Sequence, residues 1–160
     1  MKPFHQWSRE ERERYYAALQ AHINNPEYFA SHIGVKVTRI ADGEADGELF
    51  ADEANCNSMG IVHGGALYTL ADTVGGMAAF SRGYSCTTAS ATLNYLRPGV
   101  KGRKVLCRAR AQKMGRTLSV IRVDITGERG LPLATGLFTF CAMAPVNWDG
   151  ESGEMVTTTS

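Results

Sequence analysis

The segment from Asn57 to Asp72 carries residue types that could stabilise and attack a carbonyl group. His63, Gly64 and Gly65 stand together at the predicted start of a helix. Backbone N–H groups at a helix start lack intrahelical partners and carry partial positive charge, and glycine has no side chain to keep a ligand away. These three residues therefore predict an oxyanion hole.

A carboxylate follows on the same predicted helix. Asp72 lies two turns beyond the glycines, where it could attack a carbonyl carbon or activate a water molecule. Residue types alone leave plainer interpretations open. The sequence His63-Gly64-Gly65 could be only a tight turn into a helix, and His63 a structural hydrogen-bonding residue. Asp72 could be a solvated helical residue and Asn57 an ordinary turn residue.

The helix that must position Asp72 is predicted from about Val62 to Phe80. Apolar residues on one face recur at helical spacing, namely Leu67, Leu70, Ala71, Val74, Met77 and Ala78. Such a stripe needs a sheet to cover it. Gly75 and Gly76, one turn beyond Asp72, would let another backbone or a ligand come close.

Alternating apolar residues and turn signals predict the covering sheet. The fold class expected is α+β, with one curved antiparallel sheet of five to six strands wrapped around one long central helix. The strands are predicted from about Val35, at 48–51 after a turn at 41–47, and at 87–96, 105–113, 117–126 and 131–143.

An extra helix is predicted before this unit, at about 8–23. Ser8 and Glu11 have the spacing of a capping box, and a further helical turn or two is expected at 26–31. We therefore divide the chain into an N-terminal helical extension at 1–33, a single domain at 34–144 and a tail at 145–160. The tail is rich in Gly, Ser and Thr, which predicts disorder.

Composition excludes several other classes of protein. The chain has 160 residues, 44% of them hydrophobic, and a formal net charge of +1, which predicts one domain without a nucleic-acid-binding field. The four cysteines show no metal-ligand spacing, so we expect no metal and a reducing, cytoplasmic location. We expect no signal peptide and no membrane span, because no apolar run is long enough.

Two sets of residues resemble a known family. The pattern Asn57-x-x-Gly60-x-x-His63-Gly64-Gly65, followed by Leu70-Ala71-Asp72, resembles the PaaI-like (phenylacetate-degradation type) branch of the hotdog-fold acyl-CoA thioesterases, within the 4-hydroxybenzoyl-CoA thioesterase superfamily. The segments 91–99 and 113–118 are similar to strand signatures of that branch. The resemblance covers about 34–143. It implies the hotdog fold and hydrolysis of acyl-CoA to a free acid and coenzyme A, without a cofactor.

The resemblance also implies catalytic roles. Asp72 would be the nucleophile or the general base, two alternatives that the sequence does not separate. The Gly64 N–H would polarise the thioester carbonyl, and Asn57 would position water or that carbonyl. His63 would hold the loop or the thioester. A strand hydroxyl often completes the site in this family; Thr88 is our assignment, and Ser90 is the alternative.

Binding of the substrate is predicted from the same resemblance. Gly65 and Tyr68 would contact the thioester and acyl group. Arg97, Lys113 and Arg116 would bind the phosphates of coenzyme A, since arginine forks suit phosphate. Their alternative role is that of solubilising charges on loops.

The family further implies assembly of subunits. Two sheets would pair edge to edge in a homodimer, with Asp72 facing the neighbour's His63 loop, and two dimers would form a homotetramer. A curved sheet with an uncovered edge, together with Gly75 and Gly76, supports close approach of a partner. Two other functions remain open at this stage: an acyl-thioester hydratase or dehydratase on the same fold, and a non-catalytic module that binds acyl-CoA.

Overall fold

One antiparallel sheet wraps around one long helix, which confirms the predicted α+β hotdog architecture. The computed structural model describes residues 3–148 and 155–156. The helices are α1 (Arg9–Ile23), α2 (Phe29–His32) and α3 (Gly64–Phe80). The strands are β1 (Lys36–Ala41), β2 (Glu44–Phe50), β3 (Tyr84–Tyr95), β4 (Lys104–Met114), β5 (Leu118–Gly127) and β6 (Pro132–Pro145), in the spatial order β1-β2-β4-β5-β6-β3.

Helix α3 forms the centre of the core and packs against all six strands. Its predicted apolar stripe is buried, with Leu70 and Val74 fully inaccessible to solvent. The space beside Gly75 is filled by the sheet of the same chain. A Cβ atom at Gly75 would lie 3.3 Å from Val123 and 3.4 Å from Phe140. The prediction that these glycines admit a ligand or a partner is therefore wrong, because they serve helix-to-sheet packing.

The hairpin between β1 and β2 differs from the prediction. The turn contains only Asp42 and Gly43, and β2 begins at Glu44 rather than at Glu48. The acidic residues and the glycine at 44–48 look like a turn in sequence, but this segment alternates in burial as a strand does. The outward carboxylates pair with arginines and a lysine, namely Arg39, Arg108, Arg110 and Lys104.

The first edge strand, β1, is covered by the chain itself. The Asn24 side chain accepts a hydrogen bond from the Val37 N–H at 2.9 Å and donates one to the Val37 carbonyl at 2.8 Å. An amide side chain thus takes the place of a neighbouring strand. Helix α1 packs along the same strand.

The second edge strand, β3, is open. It pairs with β6 on one side, and no strand lies on its other side in the described part of the chain. None of its twelve residues is buried, although it flanks a well-packed sheet. A strand of this length with a free row of backbone groups is a template for pairing with another chain.

The N-terminal segment and the residues directly after β6 meet over the end of α3. The predicted capping box is present, because Ser8 and Glu11 exchange side-chain-to-backbone hydrogen bonds. The Tyr15 hydroxyl donates to the Phe80 carbonyl at 2.9 Å. Trp148 is buried against Trp7, with ring centroids 5.1 Å apart.

The predicted disorder from Pro145 onward is wrong at its start. Residues Val146 and Trp148 are buried, because an apolar cluster at the N-terminus gives them a surface to pack on. Two short strands, β7 (Asn147–Trp148) and β8 (Met155–Val156), pair with each other. The other tail positions lie outside the described residues. No helix in the described ranges is long and apolar enough to span a bilayer. The boundary at 33/34 remains a prediction.

Candidate active site

The start of α3 presents one free backbone donor. His63 is the N-cap, and its Nδ1 accepts a hydrogen bond from the Gly65 N–H at 2.8 Å. The His63 carbonyl accepts from the N–H groups of Ala66 and Leu67 at 2.9 and 3.1 Å. Among the residues that the structure describes, none accepts a hydrogen bond from the Gly64 N–H. This amide therefore remains available to a substrate oxygen, as the sequence predicts for Gly64.

The same geometry fixes the tautomer of a neutral His63 ring. Because Nδ1 accepts a hydrogen bond, the ring proton must lie on Nε2. The side chain is exposed, and its Nε2–H can donate to a ligand. Gly65, which the sequence predicts as a substrate contact, has its N–H occupied by His63 and cannot offer it to a substrate as well.

Asn57 organises the loop before α3. Its Oδ1 accepts hydrogen bonds from the N–H groups of Met59 at 2.9 Å and Ile61 at 3.4 Å. Gly60 completes this turn with φ of +73°, a conformation that glycine adopts without strain. The Asn57 side chain is thus both a turn former and a source of one unused NH₂ group, because no described residue accepts from its nitrogen.

The carboxylate predicted to be catalytic is held by a strand hydroxyl. The Thr88 Oγ1 donates a hydrogen bond of 2.6 Å to Asp72 Oδ1. Asp72 is partly buried in the middle of α3, and Thr88 lies on β3, the open edge strand. Ser90 lies beyond an irregularity in the β3–β6 register and has no hydrogen bond to Asp72. Of the two hydroxyls considered from the sequence, the geometry therefore selects Thr88.

A cysteine lies beside this pair. Cys86 Sγ is 3.9 Å from the Gly76 carbonyl, on the same face of β3 as Thr88. Burial raises the pKa of the Cys86 thiol to about 12, and the nearby charge of Asp72 contributes in the same direction. A thiol with a raised pKa carries little thiolate at neutral pH, which disfavours Cys86 as a nucleophile.

The free amide and the carboxylate are too far apart to act on one carbonyl group within a single chain. Asp72 follows Gly64 by eight positions, which corresponds to about 12 Å along a helix axis. A reacting carbonyl has to lie roughly 3 Å from both its attacking group and its oxyanion donor. Within one chain, the Gly64 N–H and the Asp72 carboxylate therefore cannot both reach the same carbonyl group.

Two residues that the sequence analysis missed support the start of α3. The Tyr95 hydroxyl donates to the Gly64 carbonyl at 3.0 Å. Asn55 is buried, and its side-chain NH₂ group donates to the backbone carbonyls of Ile33 and Phe50. The backbone carbonyl of Asn55 accepts a hydrogen bond from the His63 N–H at 2.8 Å. Neither contact has a local signal, because each joins segments distant in sequence or depends on burial.

The residues predicted to bind substrate do not all come together. Tyr68 is partly exposed, and its ring lies 5.3 Å from that of Phe138. Arg97 lies two residues beyond the end of β3, and its side chain donates to the Pro132 carbonyl at 3.3 Å. Arg116 lies in the β4–β5 turn and lines a cavity with Tyr84 and Cys86 of β3, whereas Lys113 lies near the end of β4, beside the turn between β1 and β2. A strand of twelve residues spans roughly 35–40 Å, so one chain holds these cations at opposite ends.

No metal-binding arrangement stands out at this site. Within residues 3–148 and 155–156, no group of three or more His, Cys, Asp and Glu side chains is placed to hold a metal ion. The four cysteines are unpaired.

Known proteins resemble this chain in sequence and in structure. The sequence profile of the thioesterase superfamily matches residues 59–134. Human acyl-coenzyme A thioesterase 13 is 30% identical over 109 residues, which cover 65% of this chain and 78% of that protein. The structure of the Escherichia coli PaaI protein, from the phenylacetic acid degradation operon, has a TM-score of 0.77 and 22% identity, over 84% of this chain and 96% of that one.

A third relative was solved with a ligand. A hypothetical thioesterase from Streptococcus pneumoniae, determined with coenzyme A, has a TM-score of 0.67 and 27% identity, over 70% of this chain and 90% of that one. Two further structures of that protein carry alanine in place of an aspartate and in place of a threonine, and the two positions are sixteen residues apart.

Proposed function

The chain belongs to the PaaI-like hotdog branch of the thioesterase superfamily and is a thioester hydrolase, and we propose that its substrates are acyl-CoA thioesters. The observation that carries the proposal is the hydrogen-bonded pair of Asp72 and Thr88, which lies next to an open sheet edge. The relative solved with coenzyme A supports this substrate class. The proposed reaction needs no metal and no cofactor other than the coenzyme A of the substrate.

We propose that two copies of the chain complete each active site. The separation of about 12 Å between Asp72 and Gly64 requires a second Gly64 to approach Asp72. Asp72 contacts Thr88 and Gly64 contacts Tyr95, and both of these contacts lie on β3. Antiparallel pairing of β3 with the same strand of another copy brings the Tyr95 end of one strand toward the Thr88 region of the other.

The same pairing unites the predicted phosphate-binding cations. Arg97 near one end of β3 would approach Arg116 of the other copy, which lines a cavity with the opposite end of that strand. Lys113 lies near the end of β4, before the same turn as Arg116. A coenzyme A molecule that crosses the interface would then meet positive charge from both subunits. The resemblance extends this to a homotetramer of two such dimers.

In the proposed reaction, the thioester carbonyl oxygen accepts a hydrogen bond from the Gly64 N–H of one copy. This amide stabilises the negative charge that develops as the carbonyl carbon becomes tetrahedral. The unused NH₂ group of Asn57 in the same copy would donate to the carbonyl oxygen or to water. Collapse of the tetrahedral intermediate breaks the C–S bond and releases coenzyme A, whose thiolate takes up a proton.

Asp72 of the other copy supplies the attack. As a general base it removes a proton from a water molecule, which adds to the carbonyl carbon; as a nucleophile it forms an anhydride that water then hydrolyses. In both routes Thr88 holds one carboxylate oxygen and leaves the other toward the substrate. Thr88 follows Asp72 by sixteen positions, the spacing of the two residues replaced by alanine in the Streptococcus pneumoniae relative.

A reducing compartment such as the cytoplasm fits the proposal. The four cysteines are unpaired, and burial raises the pKa of the thiols of Cys86 and Cys107. Such thiols need no disulfide partner to remain stable in a reducing environment.

The decisive experiment replaces Asp72 with asparagine, which keeps the shape of the side chain but removes its charge. We expect release of free thiol from a panel of acyl-CoAs to fall by roughly a thousandfold or more. The matched control is Asp42→Asn, an exposed carboxylate paired with Arg82, and it should keep nearly full activity. An Asp72→Asn enzyme with more than about a tenth of normal turnover would refute the assignment.

The same panel separates the alternative functions. Loss of the enoyl absorbance of an enoyl-CoA without release of thiol would indicate a hydratase. Tight binding of acyl-CoA without any thiol release would indicate a binding module.

A further inference from the structure

The helix start that carries the free Gly64 N–H contains two adjacent glycines. Their backbone torsion angles are less restricted than those of other residues. Gly64 and Gly65 are the first two residues of α3. Glycine loses more conformational freedom on folding than any other residue and has no side chain to restrict φ and ψ. An oxyanion donor contributes most when it is oriented before the substrate arrives. Other groups must therefore hold these two residues.

We propose that Tyr95 is a positioning residue that, together with His63, clamps the peptide group between Gly64 and Gly65 and so sets the direction of the Gly64 N–H. This inference rests on the proposed role of that amide as the oxyanion donor. It assigns a function to a side chain that has no contact with Asp72 within its own chain.

The clamp is visible in two hydrogen bonds to one peptide group. The Tyr95 hydroxyl donates to the Gly64 carbonyl at 3.0 Å, and His63 Nδ1 accepts from the Gly65 N–H at 2.8 Å. The carbonyl of Gly64 and the N–H of Gly65 belong to the same planar unit. Both of its polar groups are therefore held by side chains, one from β3 and one from the loop before α3.

The peptide group on the other side of Gly64 is held as well. Its carbonyl, that of His63, accepts from the N–H groups of Ala66 and Leu67. With the planes before and after it both fixed, Gly64 has no remaining torsional freedom. The N–H that no described residue uses then points in one direction.

The Tyr95 side chain also lies over Gly64 at van der Waals distance. A Cβ atom at Gly64 would lie 3.4–3.5 Å from three atoms of the Tyr95 ring and hydroxyl. The phenol thus packs on the glycine as well as binding its carbonyl. Partial burial raises the pKa of Tyr95, so its hydroxyl stays protonated and able to donate at neutral pH.

The position of Tyr95 is set by the sheet rather than by the helix. Tyr95 is the last residue of β3, opposite the buried Ala134 of β6, and the next N–H along the chain, that of Leu96, donates to the Leu133 carbonyl at 2.8 Å. The amide of one helix is therefore aligned by the open edge strand, which is also the strand expected to meet a second copy.

The test is Tyr95→Phe, which keeps the ring on Gly64 and removes only the hydroxyl. We expect kcat for acyl-CoA hydrolysis to fall by about three- to tenfold, the effect of losing one hydrogen bond, with KM changed by less than about twofold. The melting temperature should stay the same. Tyr28→Phe is the matched control, an exposed tyrosine just before α2 whose hydroxyl lies 3.3 Å from His22 Nε2, and should leave kcat unchanged.

A second variant distinguishes positioning from general support of the fold. If Tyr95 and His63 act on one peptide group, the losses of kcat in Tyr95→Phe and His63→Ala will not multiply in the double variant. Unchanged kcat in Tyr95→Phe, losses that multiply fully, or a loss of kcat that follows a lower melting temperature would each overturn the inference. Loss of activity in Asp72→Asn alongside normal activity in Tyr95→Phe would reject the clamp alone and leave the proposed function standing.

Discussion

The two edge strands of the sheet end it in opposite ways. At β1 the chain closes its own edge, because Asn24 occupies both the N–H and the carbonyl of Val37 and α1 packs alongside. At β3 the outer side has no strand beside it in the described ranges, and none of its residues is buried.

The edge strand that stays open is also the one that carries residues of the proposed active site. Thr88 and Tyr95 both lie on β3, and they contact Asp72 and Gly64. No residue of β1 contacts either of these groups through a side-chain hydrogen bond among the described residues. An unpaired edge is a hazard that proteins usually cover. Here the edge that stays open is the one that carries both halves of the proposed site, which is what an active site shared between copies requires.

The largest effect is expected from charge added to the open edge. Ala89→Lys combined with Thr92→Lys would add two positive charges to each β3 strand, and repulsion between two such strands disfavours their pairing. We expect the molecular mass in solution to fall to that of one chain and acyl-CoA hydrolysis to drop by more than about tenfold. Light scattering and a thiol-release assay over a dilution series would measure both.

The matched control for this change lies on the closed edge. Thr38→Lys adds an exposed lysine to β1 and should alter neither mass nor activity. Equal losses in both variants, or full activity in the β3 variant, would contradict the contrast between the two edges.

A smaller effect is expected when the cover of the closed edge is removed. Asn24→Ala leaves the Val37 N–H and carbonyl without their partner, which should lower the free energy of unfolding by about 1–3 kcal/mol. Chemical denaturation would measure this, with Asn25→Ala as the control, because the Asn25 side chain accepts only from the exposed Glu27 N–H. An unchanged stability in Asn24→Ala would mean that the edge is covered by α1 alone.

The smallest effect on stability is expected from a change in the surface ion pairs of β2, the strand next to β1. Asp46 pairs with Arg39 at 3.1 Å, Arg110 at 3.4 Å and Arg108 at 3.8 Å. Because these are surface ion pairs, Asp46→Asn should lower the free energy of unfolding by only about 0.2–1 kcal/mol. The difference should shrink as salt is added, since the charges become screened. A loss that is large or independent of salt would show that Asp46 has another role.

Features with a local pattern could be predicted from the sequence. The capping box of Ser8 and Glu11, the extent of α3 and the four strands after it follow from spacing and periodicity. The assignment of Thr88 comes from the family resemblance rather than from spacing or periodicity, and the hydrogen bond to Asp72 selects it over Ser90.

Features that depend on long-range partners could not be predicted in this way. The acidic start of β2 looks like a turn in the sequence. In the structure it is a strand, and Glu44 forms ion pairs there with Arg39 and Arg110. Asn24, Tyr95 and Trp148 each act on a segment remote in sequence, and single residues of these types carry no periodic signal.

Both tryptophans of the chain, Trp7 and Trp148, lie in one cluster where the N-terminal segment meets the residues after β6. Intrinsic fluorescence therefore reports on a single place in the molecule. A denaturation curve followed by indole emission records the separation of the segment around Trp7 from the residues directly after β6. A label attached along β3 would be needed to follow the site itself, so the two signals can separate loss of the termini from loss of the catalytic surface.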